Sequence, residues 1–500
     1  MGTNIVNTNT ISSNKYNGID YPYPVPKTSI DHVLTLSGST TDITINGSNI
    51  LRKACKDNTG AANFKVSGDT NPAVSFYDDT GTNYIFPTVC EDQLKALNLP
   101  LSRIYYLYYS PGGLEHSLDL LADICNRNNI AQEKTIVCID HFEASMILDP
   151  SVYTQAVKYI KNKNYKFRYW EIQNEPAYAH ILTDAIDYGN YVLRCSTAIK
   201  GVDPGAIVGC QMLRNSVWSR QLVDTVGEKV DFIAGHWYGG LCDIADYETS
   251  EVILADNFKA ISYISTMNTY ILNQVGKRIP QIDTEWRLLA DNGSDDGEWG
   301  NHIGNIIGTL YQAVRLIYNI RDGYIKGSCC WHAMGGQPGI LVPSGWGTHL
   351  GNVDFNGKTS YLYWLYYHFI NSTGDNIVSF TGSAPSFTGT APPNAEDGSS
   401  VQTEHTGPLT PVLVTKSNDN TKLYITVVNG STANAVNFSA IINNFTINSI
   451  TSYRISDTDL TQNFYQDDTS RFLSTPIITN TNGTLTCTLP ILSCTFIIIQ

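Results

Sequence analysis

Two glutamates, Glu175 and Glu285, close two strand-like runs in this chain, Trp170-Glu-Ile-Gln-Asn-Glu-Pro176 and Pro280-Gln-Ile-Asp-Thr-Glu-Trp286. Carboxyl groups delivered by separate strands can divide acid–base work. One is held protonated to give a departing oxygen its proton, and the other is kept ionised to attack or to activate water. Cleavage of a glycosidic bond demands that division, and the surroundings must push the two pKa values apart. Glu175, beside Pro176 and near Trp170, reads as the acid. Glu285, near Arg103, His236 or Tyr238, reads as the group held ionised.

The elements that must carry these residues follow from rhythm. From about residue 85, amphipathic helical stretches alternate with short apolar runs rich in β-branched and aromatic residues, as repeated βα units do. The runs lie at 101–109, 134–142, 167–175, 206–213, 231–238, the segment ending at Glu285, and 327–333. An earlier run, 42–52, supplies an eighth as the first strand. Eight strands with intervening helices predict a (β/α)8 TIM barrel, an α/β fold. A doubly wound open sheet competes less well, because no Gly-rich phosphate turn follows any strand. After residue 371 the character changes. A Gly/Ser/Pro/Thr-rich passage, 372–410, reads as linker or long loop, and short alternating strands at 411–415, 422–429, 435–442, 450–455 and 494–499 predict a C-terminal β-sandwich. The predicted division is therefore an N-terminal segment 1–39, whose run 31–36 is expected to add a strand to the sandwich, a barrel 40–371, the linker, and a sandwich 411–500.

In such a barrel the residues that close each strand share one face. Those ends supply Arg103, His141, Asn174 with Glu175, His236 with Tyr238, Glu285 and Trp331. A lone Glu at a strand end is more often a surface ion-pair member; joint placement on the fourth and seventh strands, among aromatic and amide neighbours, points to chemistry. Loops add Trp218, Trp237, Trp299 and Trp346 and the run Tyr105 to Tyr109, whose flat faces suit stacking against sugar rings.

Asn174-Glu-Pro176, His236-Trp-Tyr238, Thr284-Glu-Trp286 and Trp331, in that strand order, resemble the clan GH-A retaining glycoside hydrolases. The layout of barrel then sandwich is similar to families 39, 30, 51 and 44. The resemblance implies Glu175 as general acid/base and Glu285 as nucleophile, with Asn174 on the sugar 2-hydroxyl. It further implies Tyr238 holding the nucleophile, Arg103 adding positive charge beneath it, and Trp331 as platform under the reacting sugar. His236 and His141 are assigned to shaping the site, and Trp299 and Trp346 to sugar contacts.

Composition bounds the alternatives. The 500 residues are 42% hydrophobic and 16% charged, with a formal net charge of −14. That lacks the basic footprint nucleic acid or an anionic membrane surface needs, and no apolar stretch is long enough to span a bilayer. No Cys-x-x-Cys pair points to zinc or redox work, the loop 291–298 fails the EF-hand pattern, and neither metal nor cofactor is expected. The cysteines read as buried thiols, with Cys487 and Cys494 near enough in sequence to pair. The N-terminal sixteen residues lack the pattern of a signal peptide; the expectation is a secreted or periplasmic protein whose signal has been replaced by Met1-Gly2, with an intracellular one as the alternative. The expected partner is a carbohydrate, the oligomeric state is open, and the competing readings are a transglycosylase on the same site or a non-catalytic carbohydrate-binding protein.

Overall fold

Strands that are buried on both faces need helices to cover them, and the chain alternates accordingly. In the computed structural model, the residues described are 76–77, 82–105, 113–139, 149–177, 182–213, 216–239, 250–288, 305–330, 340–341, 358–391, 403–458 and 469–500, with the backbone of short strands between 15 and 65. Eight parallel strands close a barrel: β1 (Ala61–Lys65), β2 (Leu101–Tyr105), β3 (Thr135–Ile139), β4 (Tyr169–Ile172), β5 (Ile207–Met212), β6 (Phe232–His236), β7 (Gln281–Trp286) and β8 (Ile325–Cys330). One helix follows each: α1 (Thr88–Leu97), α2 (Gly113–Arg127), α3 (Ser151–Lys163), α4 (Ala185–Val202), α5 (Ser216–Val226), α6 (Ser250–Val275), α7 (Ile306–Asp322) and α8 (Tyr361–Asn371). Closure is the pairing of Cys329 and Cys330 of β8 with Ala61 and Ala62 of β1. The expected (β/α)8 barrel is what the chain forms.

Local sequence explains the boundaries. Asp184 caps α4 by accepting from the backbone N–H groups of Ile186 and Asp187, and α7 stops at Gly323, whose φ of 62° suits a residue without a Cβ. Alternation sorts each strand between interior and helix layer. Leu101, Ile136, Phe232, Ala234, Ile282 and Cys329 form a small apolar cluster inside the barrel, with Tyr169 and Ile207 against it. Gly209 makes room there, since a Cβ at this position would meet the Phe232 ring at 2.3 Å.

The first strand differs from the sequence reading. Residues Asp42–Ile45 and Ser48–Leu51 pair with each other as an antiparallel hairpin; Asn46-Gly47 between them is the strongest short hairpin signal. Ala61–Lys65 takes the barrel position instead. It was missed because Ala-Ala-Asn-Phe-Lys carries almost no apolar alternation.

Past α8 the chain enters a ten-stranded sheet ordered 473–474, 450–456, 493–499, 423–429, 412–416, 376–383, 31–40, 436–442, 484–489, 479–481. Its two halves share one core, including Val414, Ile425 and Ile497 from one side and Phe438, Ala440 and Leu485 from the other, so the sheet folds over on itself as a sandwich. Strand Asp31–Thr40 lies between Asn376–Ser383 and Val436–Ile442. The passage 372–410 is not simply a linker. It holds Asn376–Ser383 of this sheet and a hairpin of Ser386–Ala391 with Thr403–Pro408, whose Phe387 packs on Phe258 of α6. Frequent Gly, Ser and Thr masked the alternation of apolar residues along it. Cys487 and Cys494 are not joined to each other: both are thiols.

Candidate functional site

The C-terminal ends of β2, β4, β6 and β7 converge on one buried guanidinium. Arg103, fully buried on β2, donates from Nε to Glu171 Oε2 at 2.5 Å, from Nη1 to Glu285 Oε1 at 2.6 Å and from Nη2 to Asn174 Oδ1 at 2.9 Å. A buried cation of this size is tolerable only when paired and hydrogen-bonded, and here three separate acceptors share it. Burial alone would lower its pKa, but the charges of Glu171 and Glu285 and the hydrogen bond to Glu171 outweigh it and keep the guanidinium charged. The other oxygen of Glu171 accepts from Thr284 Oγ1 of β7 at 3.2 Å.

Glu285 reaches this point through an irregularity in β7. Gly235 pairs with Asp283 and His236 with Glu285, so Thr284 is an extra residue on β7. Such a bulge re-aims side chains, and both Thr284 and Glu285 turn toward the interior groups of β4 and β2. The second Glu285 oxygen, Oε2, accepts from Tyr238 Oη at 2.8 Å. Burial, then the charge of Glu285, raises the Tyr238 pKa well above the ordinary phenol value, so its hydroxyl remains a donor. On the opposite face of the strand, Asp283 approaches Arg315 of α7, N–O 3.5 Å, both fully buried, and Trp286 lies 5.8 Å beneath the same guanidinium.

Glu175 follows β4 in a turn whose backbone is strained: Gln173 has φ 65° and Glu175 φ 44°, conformations that cost side-chain-bearing residues on the order of 1–3 kcal/mol each. Side chains from neighbouring elements hold that turn. The Gln173 N–H donates to Tyr153 Oη of α3 at 3.2 Å, and the Glu175 N–H donates to Gln211 Oε1 of β5. Tyr188 Oη of α4 donates to the Ile172 carbonyl at 2.6 Å and accepts from the Gln211 N–H at 2.9 Å, so a hydroxyl bridges β4 and β5 where the ladder ends.

His236 links the two glutamates. Its Nδ1 is 2.8 Å from Glu175 Oε1 and 3.6 Å from Glu285 Oε2. The imidazole is buried, which alone would lower its pKa; attraction from Glu285 and the bond to Glu175 reverse that and raise it. The Glu175 carboxyl moves the other way. Burial would raise its pKa, yet the hydrogen bond and charge of His236, with Arg103 behind, hold it below the usual carboxylate range. The apolar surroundings expected for Glu175 are therefore not the controlling influence. Trp170 is buried in the large core cluster on the face of β4 opposite Glu171, and a histidine replaces it as the neighbour that decides.

Glu175, His236 and Glu285 each offer a ligand atom within 4.8 Å of the others, a spacing that invites a metal. The donor set argues otherwise: both Glu285 oxygens already accept from Arg103 and Tyr238, and a guanidinium in contact with the carboxylate opposes a second cation. Two carboxyl groups whose oxygens come this close can flank one glycosidic bond.

Of the residues singled out from sequence, the structure brings together Arg103, Asn174, Glu175, His236, Tyr238 and Glu285. His141, Trp299, Trp331 and Trp346 lie outside the described residues, as do Tyr106 to Tyr109 and the loop 291–298. Trp218 and Trp237 are core residues: Trp237 is fully buried against Tyr263, and Trp218 stacks on Tyr188 with its indole N–H donating to the Thr183 carbonyl. Sequence reasoning missed Glu171, Gln211, Tyr153 and Tyr188, and gave Thr284 no contact of its own. Glu171 was findable, because it has the inward parity of Tyr169 on β4; the tyrosines come from helices and carry no local signal.

A scan against models of protein families finds no match, and a search of curated proteins finds none. Solved structures do match. An α-L-arabinofuranosidase from Thermotoga maritima superposes with a TM-score of 0.67 at 13% identity, covering 94% of this chain and 100% of that one. A family 51 α-L-arabinofuranosidase from Bifidobacterium longum gives 0.66 at 11% identity over 95% and 100%, and a family 30 endoxylanase from Clostridium papyrosolvens gives 0.53 at 14% over 94% and 100%. The chain has the fold of these clan GH-A glycoside hydrolases across nearly its whole length.

Proposed function

We propose that the protein is a retaining glycoside hydrolase that cleaves an oligo- or polysaccharide by double displacement. One observation carries the reading: two glutamates at the ends of β4 and β7 present oxygens within 4.8 Å of each other across His236, one fixed by Arg103 and Tyr238 and the other partly open to solvent. Glu285, oriented by two donors, attacks the anomeric carbon, and Glu175 serves the departing oxygen. Asn174 has its Oδ1 occupied by Arg103, which leaves the amide nitrogen to donate to a sugar hydroxyl next to the reacting carbon, an interaction that tightens as charge develops. The shared fold with arabinofuranosidases and an endoxylanase supports pentose-containing, β-linked polysaccharides as the first substrates to test.

The experiment is a panel of β-linked polysaccharides and aryl glycosides, β-D-xylosides, β-D-glucosides and α-L-arabinofuranosides included, with the product anomer followed by NMR. Retention on at least one member is expected. Inverted product refutes the mechanism, and a binding isotherm with no product on any member favours the non-catalytic reading. Transfer to an added acceptor sugar in preference to water would identify a transglycosylase on the same groups.

A further inference from the structure

We propose that His236 stores the proton that the reaction delivers to the departing oxygen, holding it on Nδ1 and passing it to Glu175 Oε1 once substrate covers the site. The inference rests on the glycoside hydrolase reading and answers a difficulty that reading raises. The residue placed to act as acid has its carboxyl held below the usual carboxylate range by His236, and an ionised carboxylate has no proton to give. The proton has a place nearby. His236 Nδ1 lies within hydrogen-bond reach of Glu175 and a little farther from Glu285, at 2.8 and 3.6 Å.

The surrounding charges make the store conditional. Among the described residues, the charged or titratable groups that face His236 are Glu175 after β4, Glu285 of β7, Arg103 of β2 with Glu171 behind it, and Tyr238 two residues along. Glu285 is the largest influence favouring the imidazolium, and Arg103 works against it. Substrate excludes water from Glu175, whose side chain is 34% exposed. Lost hydration disfavours an ion pair relative to the neutral acid and neutral imidazole. The N–H bond at Nδ1 then breaks and an O–H bond forms at Glu175 Oε1. As Glu285 forms its bond to the anomeric carbon, the glycosidic C–O bond breaks, its electron pair goes to the departing oxygen, and that oxygen takes the proton from Glu175.

Glu285 is now an ester without charge. The attraction that favoured the imidazolium is gone, so His236 and Glu175 both stay unprotonated, the state in which Glu175 serves as base toward water. Water attacks the anomeric carbon, its new C–O bond forming as the bond to Glu285 breaks, and gives its proton to Glu175. Glu285 leaves as a carboxylate, and the restored charge draws the proton back to His236. The charge on the nucleophile thus sets whether the pair is an acid or a base.

Two measurements test this. The first compares wild-type protein with His236→Asn on two glycosides of the sugar the wild type cleaves, one with a 2,4-dinitrophenyl leaving group, which departs without a proton, and one with a phenyl group. The variant is expected to lose at least about tenfold more activity on the phenyl glycoside, with the basic limb of kcat/KM moved toward acid by about one pH unit or more. Equal losses on both substrates at every pH would overturn the proposal. The second uses NMR of the imidazole nitrogens and needs no activity: in Glu285→Gln the His236 midpoint is expected to fall by about one pH unit or more from wild type, and an unchanged midpoint would overturn the proposal. If the wild type cleaves no glycoside in the panel, the functional reading fails, while the titration still decides whether His236 holds a proton under the control of Glu285.

Discussion

Glu285 is clamped by two donors and Glu175 by one histidine, an asymmetry that supports the proposed division of roles. Replacing Glu285 with Gln keeps size and removes the proposed nucleophile, so turnover is expected to vanish while the circular dichroism spectrum is unchanged. Glu175→Gln removes the proton route and is expected to cost about 10²- to 10⁴-fold in kcat on substrates with poor leaving groups. Azide with the alanine variants should restore part of the rate, giving glycosyl azides of opposite anomeric form at the two sites; ordinary activity in either glutamine variant would sink the assignment. Tyr238 offers a subtler test. Its hydroxyl stays protonated across the working range and donates to Glu285 Oε2, a charge-assisted bond of about 1.5–3 kcal/mol. Tyr238→Phe should therefore lower kcat about ten- to hundredfold with little change in KM; a variant that changes KM alone would place the hydroxyl on substrate rather than on the nucleophile.

At the scale of elements, the strained turn after β4 depends on hydroxyls that helices lend to strand ends. In Tyr188→Phe the ring still fills its place, but the buried Ile172 carbonyl loses its donor and the Gln211 N–H its acceptor. Groups left unsatisfied in this way cost about 1–3 kcal/mol. Because Gln211 also holds the Glu175 N–H, kcat is expected to fall together with stability, as read by urea unfolding and steady-state kinetics. Unchanged stability would show that the bridge contributes nothing. These contacts mark where sequence stops being informative. Strand positions were legible because period and β-branched composition are local properties, and Arg103, His236 and Tyr238 were legible because strand ends of a barrel share one face. The orientation of Glu285 came from an extra residue in β7 that no pattern announces. The sign of the Glu175 shift came from His236, 61 residues away, where apolar neighbours in sequence had pointed the other way. Asn46-Gly47 was a readable hairpin signal, and giving its flanks to the barrel displaced the true first strand, Ala61–Lys65.

At the scale of the molecule, barrel and sandwich are joined through buried contacts, an ionisable histidine among them. His368 near the end of α8 stacks on Tyr453 of the sandwich with ring centroids 4.5 Å apart, and Phe496 lies 5.3 Å away. Only 4% of the residue is exposed, and burial lowers the imidazole pKa from 6.5 to about 4. A histidine whose folded pKa lies below its unfolded value favours the fold while neutral, so its contribution is complete above about pH 6.5 and is lost as pH falls toward 4. The full shift corresponds to about 3 kcal/mol. Phe at this position keeps a flat ring of similar size between α8 and the sandwich and cannot take up a proton. The melting temperature of His368→Phe should consequently drop by a few degrees less than that of the wild type between pH 7 and pH 4.5, since the variant retains only the acid sensitivity of other groups. Parallel curves for the two proteins would mean that His368 becomes protonated without loosening the junction, and would move the origin of acid lability to other groups.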